Sequence, residues 1–292
     1  MEQQMTPWRA PQRTYQSYYM DSTHWERYRP SAGDIVISTP PKAGTTWTQR
    51  IVSVLVFQSV QVPASVSELS PWLDSAFKPL DKMLEELEGQ RHRRFIKTHL
   101  PVDALPVYSE VSYLVVGRDL RDMALSTHNH AAGVKRAGQP AVTKDIRAYW
   151  DEYFTRSIFD WEPNGWPFNS PTHHLQSWWA HRDQPNVLFL HYQDMLDDLD
   201  KEMRRVSAFL GVPVDEARWP ELVLECTFSV MKAKQDEVFP GKNADAVAGF
   251  EFFHKGRNGQ WRDVVADEQL ALYRAAVATL PGDLHTWLTR SK

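Results

Sequence analysis

The chain has 292 residues, 42% hydrophobic and 24% charged, which suits one large soluble α/β domain with a substantial core. A formal net charge of -4 argues against a partner such as nucleic acid bound over a broad basic face, so any phosphate site must be local. The single cysteine, Cys226, excludes an internal disulfide framework and fits a reducing, cytoplasmic setting. The start Met1-Glu2-Gln3-Gln4 carries no leader pattern, and no apolar run is long enough for stable membrane insertion.

In chain order, the first element is an apolar run at Asp34–Ser38, which reads as a strand buried on both faces. Beyond it comes Ser38-Thr39-Pro40-Pro41-Lys42-Ala43-Gly44-Thr45-Thr46-Trp47. Apolar residues Trp47, Ile51, Val54 and Leu55 then fall on one helix face. A strand, a tight loop and a helix start make an anion site, because first-turn N–H groups lack partners and the helix dipole favours negative charge. Gly44 allows close backbone approach, Thr45 and Thr46 add hydroxyls, and Lys42 adds charge. The lysine precedes the glycine, so the loop is P-loop-like without being a Walker A sequence.

Further strands are expected at Arg94–Thr98, Ser112–Gly117 and Asn186–His191. The second ends in Lys97-Thr98-His99, the third in Arg118, and the fourth runs into Tyr192. Helical patterns follow Arg118 (Leu120, Met123, Ala124, Thr127), run from Asp197 to Leu210 before Gly211, and run from Asp267 to Leu280. Arg121 and Asp122 read as a solvated helix face. Between Tyr149 and Trp179 lies an aromatic-rich tract, readable either as core packing or as the wall of an acceptor pocket. His173 and His174 within it read as helix-packing residues. Strands alternating with helices predict an α/β fold: a single domain over residues 1–292, with a mostly parallel central sheet flanked by helices. No cluster of His, Cys, Asp or Glu has metal-ligand spacing.

Four segments together resemble the cytosolic-type sulfotransferase family, which uses 3′-phosphoadenosine 5′-phosphosulfate (PAPS), and the matches suggest a bacterial member. Pro41 to Trp47 is similar to the family's 5′-phosphosulfate loop, with Ala43 where serine is usual. Phe95 to Pro101 is similar to the Lys-[Ser/Thr]-His-Leu-Pro segment that carries the catalytic base. Gly117 to Ser126 resembles the 3′-phosphate motif. Phe252 to Trp261 resembles the segment that closes over that phosphate, with His254 replacing arginine and Gln260 replacing aspartate.

The resemblance covers about residues 34 to 262. It implies His99 as base and Lys42 and Lys97 as charge stabilisers. For the nucleotide it implies Lys42, Ala43, Gly44, Thr45, Thr46, Trp47, Arg118, Ser126, Tyr192, Thr227, Phe228, His254, Lys255 and Gly256, with Arg257 an alternative cation to His254. The implied donor is PAPS and the product adenosine 3′,5′-bisphosphate (PAP), with no metal required. The acceptor is expected to be a small-molecule or lipid-like hydroxyl compound, apolar or aromatic. The family's dimer segment is not evident in Arg262 to Gln269, which leaves the oligomeric state open. An ATP-dependent phosphotransferase and a non-catalytic nucleotide-binding protein stand as alternatives.

Overall fold

The apolar runs form strands β1 (Ile35–Ser38), β2 (Phe95–Thr98), β3 (Ser112–Gly117) and β4 (Val187–His191) of one all-parallel sheet, in the order β2-β1-β3-β4. The structure is a computed structural model and describes residues 5–238, 250–253 and 256–290. The N-terminal end of β1 is in register with both neighbours, Ile35 opposite Phe95 on one side and Ser112 on the other. Alternate strand residues supply two cores. Val36, Ile96, Tyr113 and Val115 face one side, whereas Ile35, Ile37, Phe95, Leu114 and Val116 face the other. All four β1 residues are fully buried, and each large aliphatic among them contributes about 1.5–3 kcal/mol of transfer free energy.

Helices α1 (Thr45–Phe57), α2 (Leu120–Gly133), α3 (Ile146–Thr155), α4 (Pro171–Trp179), α5 (Tyr192–Asp197), α6 (Leu199–Leu210), α7 (Phe228–Ala233) and α8 (Asp267–Ala278) flank the sheet, with further helical segments that include Leu80–Gly89 and Gly282–Thr289. The helix expected from Asp197 to Leu210 is broken at Asp198, whose extended backbone starts α6 while its carboxylate accepts from Lys201 N–H. Gly211 ends α6 in the left-handed region, with φ 62°. Among the described residues, no helix is long and apolar enough to cross a membrane.

The order of the sheet reverses direction at β1. The chain goes from β1 outward to β2, then back across to β3, so the loops leaving β1 and β3 diverge and open a crevice at the carboxyl ends of the strands. A buried ion pair braces one side of it. Arg50 on α1 donates to Glu225 at 2.6 Å, and Lys234 donates to the same carboxylate at 2.8 Å. Removing one partner of such a pair costs about 3–5 kcal/mol. The brace fixes α1 against the segment leading into α7, where Trp47 Nε1–H donates to the Cys226 carbonyl at 2.7 Å.

Candidate active site

The ends of all four strands open on one cavity of about 690 Å³. The loop after β1 places Lys42 in the left-handed region (φ 69°) and Gly44 at φ 116°. Only glycine tolerates the second position, because a Cβ there would lie 2.9 Å from the Tyr192 ring. No side chain caps α1, so its first N–H groups face the cavity side without intrahelical acceptors. Thr45 and Thr46 line the cavity, and the Thr45 hydroxyl is tied to that of Thr39 at 2.5 Å.

From β2 come Lys97 and His99. Nδ1 of His99 lies 2.7 Å from the Thr39 carbonyl. A carbonyl only accepts, so Nδ1 carries the proton and Nε2 keeps a lone pair. His99 is only 8% exposed; burial, then the nearby Lys97 charge, holds its pKa well below 6.5. The ring is therefore neutral at pH 7, with Nε2 able to accept a proton. Its own carbonyl accepts from Asn169 Nδ2 at 2.9 Å, and Asn169 is in turn held by the Tyr19 hydroxyl at 2.7 Å. Burial pulls Lys97 down to about 7, partly countered by Asp74, and pulls Lys42 down to about 8, reinforced by Arg118. The Lys97 ammonium sits 4.2 Å from the Trp72 ring centroid, and Trp72 packs edge-on against His99. Fully buried Asp74 fixes this arrangement by accepting from Trp72 Nε1 at 2.8 Å and Trp25 Nε1 at 3.1 Å.

From β3 comes Arg118, with its guanidinium 4.1 Å from the Tyr192 ring centroid. It donates to Asn258 Oδ1 at 2.9 Å, to the Arg257 carbonyl at 3.2 Å and to the Lys42 carbonyl at 3.3 Å. Ser126, two turns along α2, lines the same cavity. Trp47, Tyr192 and Phe228 form an aromatic corner near Gly256, whose absent Cβ leaves room for the Phe228 ring. Lys42, Lys97 and Arg118 bring positive charge to the cavity lining, each against an aromatic ring: Phe252 at 5.0 Å, Trp72 at 4.2 Å and Tyr192 at 4.1 Å from the centroids.

The chain matches the family of the sulfotransferase domain over residues 32–283. It is 32% identical to a glycolipid sulfotransferase of Mycobacterium bovis over 304 residues, covering 94% of this chain and 93% of the relative. A human relative, sulfotransferase 1C2, is 30% identical over 247 residues, covering 79% and 77%. The chain belongs to the sulfotransferase family. In fold it is similar to a retinol dehydratase in complex with retinol and PAP (TM-score 0.71, 21% identity, 92% of this chain and 85% of that one). A mouse sulfotransferase complexed with PAP gives TM-score 0.71 at 22% identity, covering 92% of each chain.

Several residues of this sulfotransferase sit differently from the sequence reading. Asp122 is not on a solvated face. It is 2% exposed and accepts from the N–H groups of Gly259 (3.1 Å) and Gln260 (3.3 Å). Arg121 pairs with buried Asp119 and stacks on Trp261 and Tyr273, at 4.1 and 4.5 Å from the ring centroids. Both side chains thus hold the closing segment onto α2. Ala43 packs into the core, and its N–H donates to the Pro40 carbonyl at 3.3 Å. Thr227 does not line the cavity, its hydroxyl donating to the Leu224 carbonyl at 2.7 Å. Arg257 is exposed, and only its carbonyl reaches the site, through Arg118. His254 and Lys255 lie outside the described residues.

The aromatic tract divides. Tyr149, Trp150, Tyr153, Phe154 and Trp178 are core, Phe168 lines the cavity, and Trp161 is exposed. His173 bonds Asp103 and His174 bonds Ser38, both away from the cavity. The sequence reading missed Tyr19, Trp72, His130, Arg136 and Phe250, which line the cavity from four separate segments. Among the described residues, no three His, Cys, Asp or Glu side chains gather as a metal site.

Proposed function

We propose that this chain transfers the sulfuryl group of PAPS to a hydroxyl of a lipid-like acceptor, a sugar-headed lipid first among them. The observation that carries this reading is the meeting of a neutral His99, bearing a free Nε2 lone pair, with Lys42 and Lys97 at the mouth of an uncapped helix. In an in-line step, Nε2 takes the acceptor proton as the acceptor oxygen bonds to sulfur. The bond from sulfur to the bridging phosphate oxygen breaks and PAP leaves, with Lys42 stabilising charge on that oxygen. Lys97 and the N–H groups of residues 44–46 steady the sulfuryl and 5′-phosphate oxygens. The gain comes from positioning and preorganised positive charge.

For the nucleotide, Trp47, Tyr192 and Phe228 provide stacking surfaces for adenine. Arg118 and Ser126 provide a guanidinium fork and a hydroxyl for the 3′-phosphate. No metal is needed, because buried lysines supply the charge. Similarity to glycolipid sulfotransferases and the aromatic side chains that line the cavity support a lipid-like acceptor over a free sugar. The test is incubation with sulfur-labelled PAPS and a panel of glycolipids, fatty alcohols, steroids and phenols. The expected result is label on a lipid-like hydroxyl compound with equivalent PAP formed. Label on none of the four classes would refute the reading.

A further inference from the structure

His130 lies in the last turn of α2 and lines the same cavity as His99. Its neighbours there are rings. Phe250 lies 6.0 Å away by ring centroid, and Phe168 and Phe252 each lie 6.3 Å away. Such a wall would be complete with another phenyl ring. Instead it carries an imidazole whose Nδ1 is shielded from solvent and has no hydrogen-bond partner. A buried polar atom without a partner is rare in folded proteins and costs stability, so its retention calls for an explanation. Burial, then the charges of Lys42, Arg136 and Lys97, keep this ring neutral. A neutral imidazole offers one donor and one acceptor, which is the complement of a hydroxyl. His130 and His99 line one cavity and share Lys42 and Lys97 as charged neighbours.

We propose that His130 reads the acceptor's headgroup by pairing with a second hydroxyl near the one His99 deprotonates. The acceptor class is then a polyol or sugar head on an apolar tail: the tail runs along the phenylalanines, and two hydroxyls are held by two histidines. This rests on the reading of the chain as a sulfotransferase for lipid-like acceptors. A site built to hydrogen-bond a hydroxyl discriminates against the analogue that lacks it, because its own polar group is left unpaired.

The test compares n-octyl glucoside with 1-octanol, which share a tail and differ in the head. The readout is the ratio of kcat/KM values, glucoside over octanol, in the wild type, H130F, H130L and H130Q, with PAP affinity measured alongside to report an intact donor site. The expected ratio falls about tenfold in H130F and H130L, as for loss of one hydrogen bond, and recovers in part in H130Q. An unchanged ratio in the two apolar variants, or no recovery in H130Q, overturns the role of His130. A wild type that sulfates octanol but not the glucoside overturns the sugar-headed acceptor and this inference with it. A wild type that sulfates both, with the ratio unmoved by substitution, overturns the inference alone. H130L guards against failure of H130F to fold, since leucine adds less bulk than phenylalanine.

Discussion

The two halves of the cavity are built by different means. On the proposed function, the donor half is made of strand ends and the residues after them, Lys42 to Trp47, Arg118 and Tyr192, held by backbone geometry and hydrogen bonds such as that from Arg118 to the Lys42 carbonyl. The acceptor half is made of side chains from segments far apart, among them Tyr19, Trp72, Phe168, His130 and Phe250, packed ring against ring. An anion needs oriented N–H groups and fixed cations, which a rigid sheet edge and a helix start supply. An apolar tail needs shape and area, which any set of rings can supply. The donor half therefore follows strand ends, and the acceptor half draws on side chains from loops and helix ends. His99 stands between them, bonded on one side to the β1 loop through Thr39 and on the other to Asn169 through its carbonyl.

Breaking the junction should give the largest effect. His99→Ala is expected to lower kcat about 10²–10⁴-fold while leaving PAP affinity within about twofold, since the lost group serves proton transfer. Steady-state rates and calorimetry check this, and near-normal turnover would remove His99 as the base. The pH profile sharpens the division next. Lys97 and Lys42 titrate in the free enzyme near 7 and 8, and each is charged below its pKa. As pH rises through these values the cations are lost, so kcat/KM for PAPS should fall from neutral to alkaline pH.

His99 is neutral down to well below 6.5 and so sets no limit in this range. Asp74→Asn removes the negative charge that raises the Lys97 pKa, so the decline should begin at lower pH. A flat profile to about pH 9, beyond both lysine values, would contradict the buried-lysine account. The smallest effect is expected at the edge of the donor half. Asp122→Asn weakens the hold on Gly259 and Gln260, and PAP affinity should drop about three- to tenfold with kcat little changed, as for one or two weakened hydrogen bonds. Unchanged PAP affinity would mean that the Arg121–Trp261 contact and the bonds of Arg118 and Gln193 to Asn258 hold the closing segment without Asp122.

The same contrast explains what could be read before the fold was known. The strands of the sheet were visible as apolar runs, because a parallel sheet is buried on both faces. Lys42, Gly44, His99 and Arg118 were visible because each follows a strand in an unbroken motif. Asp122 was misread, since the N–H groups it accepts from lie 137 and 138 residues away, and on its own helix it looks like an exposed charge. Asp74 and Trp72 gave no signal, because their role exists only once β2 lies beside them. Spacing does separate the aromatic tract in part. Tyr149, Trp150, Tyr153 and Phe154 share one face of α3 and are core, whereas Phe168 lies in a loop and reaches the cavity.

The central claim is that the donor half holds a nucleotide with separate 3′ and 5′ anions. Titration calorimetry of PAP, adenosine 5′-monophosphate and ATP, with wild type and Arg118→Ala, tests it most directly. The account predicts that wild type prefers PAP to both other ligands. It also predicts that Arg118→Ala weakens PAP about 10- to 100-fold, as for loss of a charge-assisted hydrogen-bond fork, and leaves the 5′-monophosphate nearly unaffected. Equal losses for the two adenosine phosphates, or tighter binding of ATP than of PAP by wild type, would contradict it.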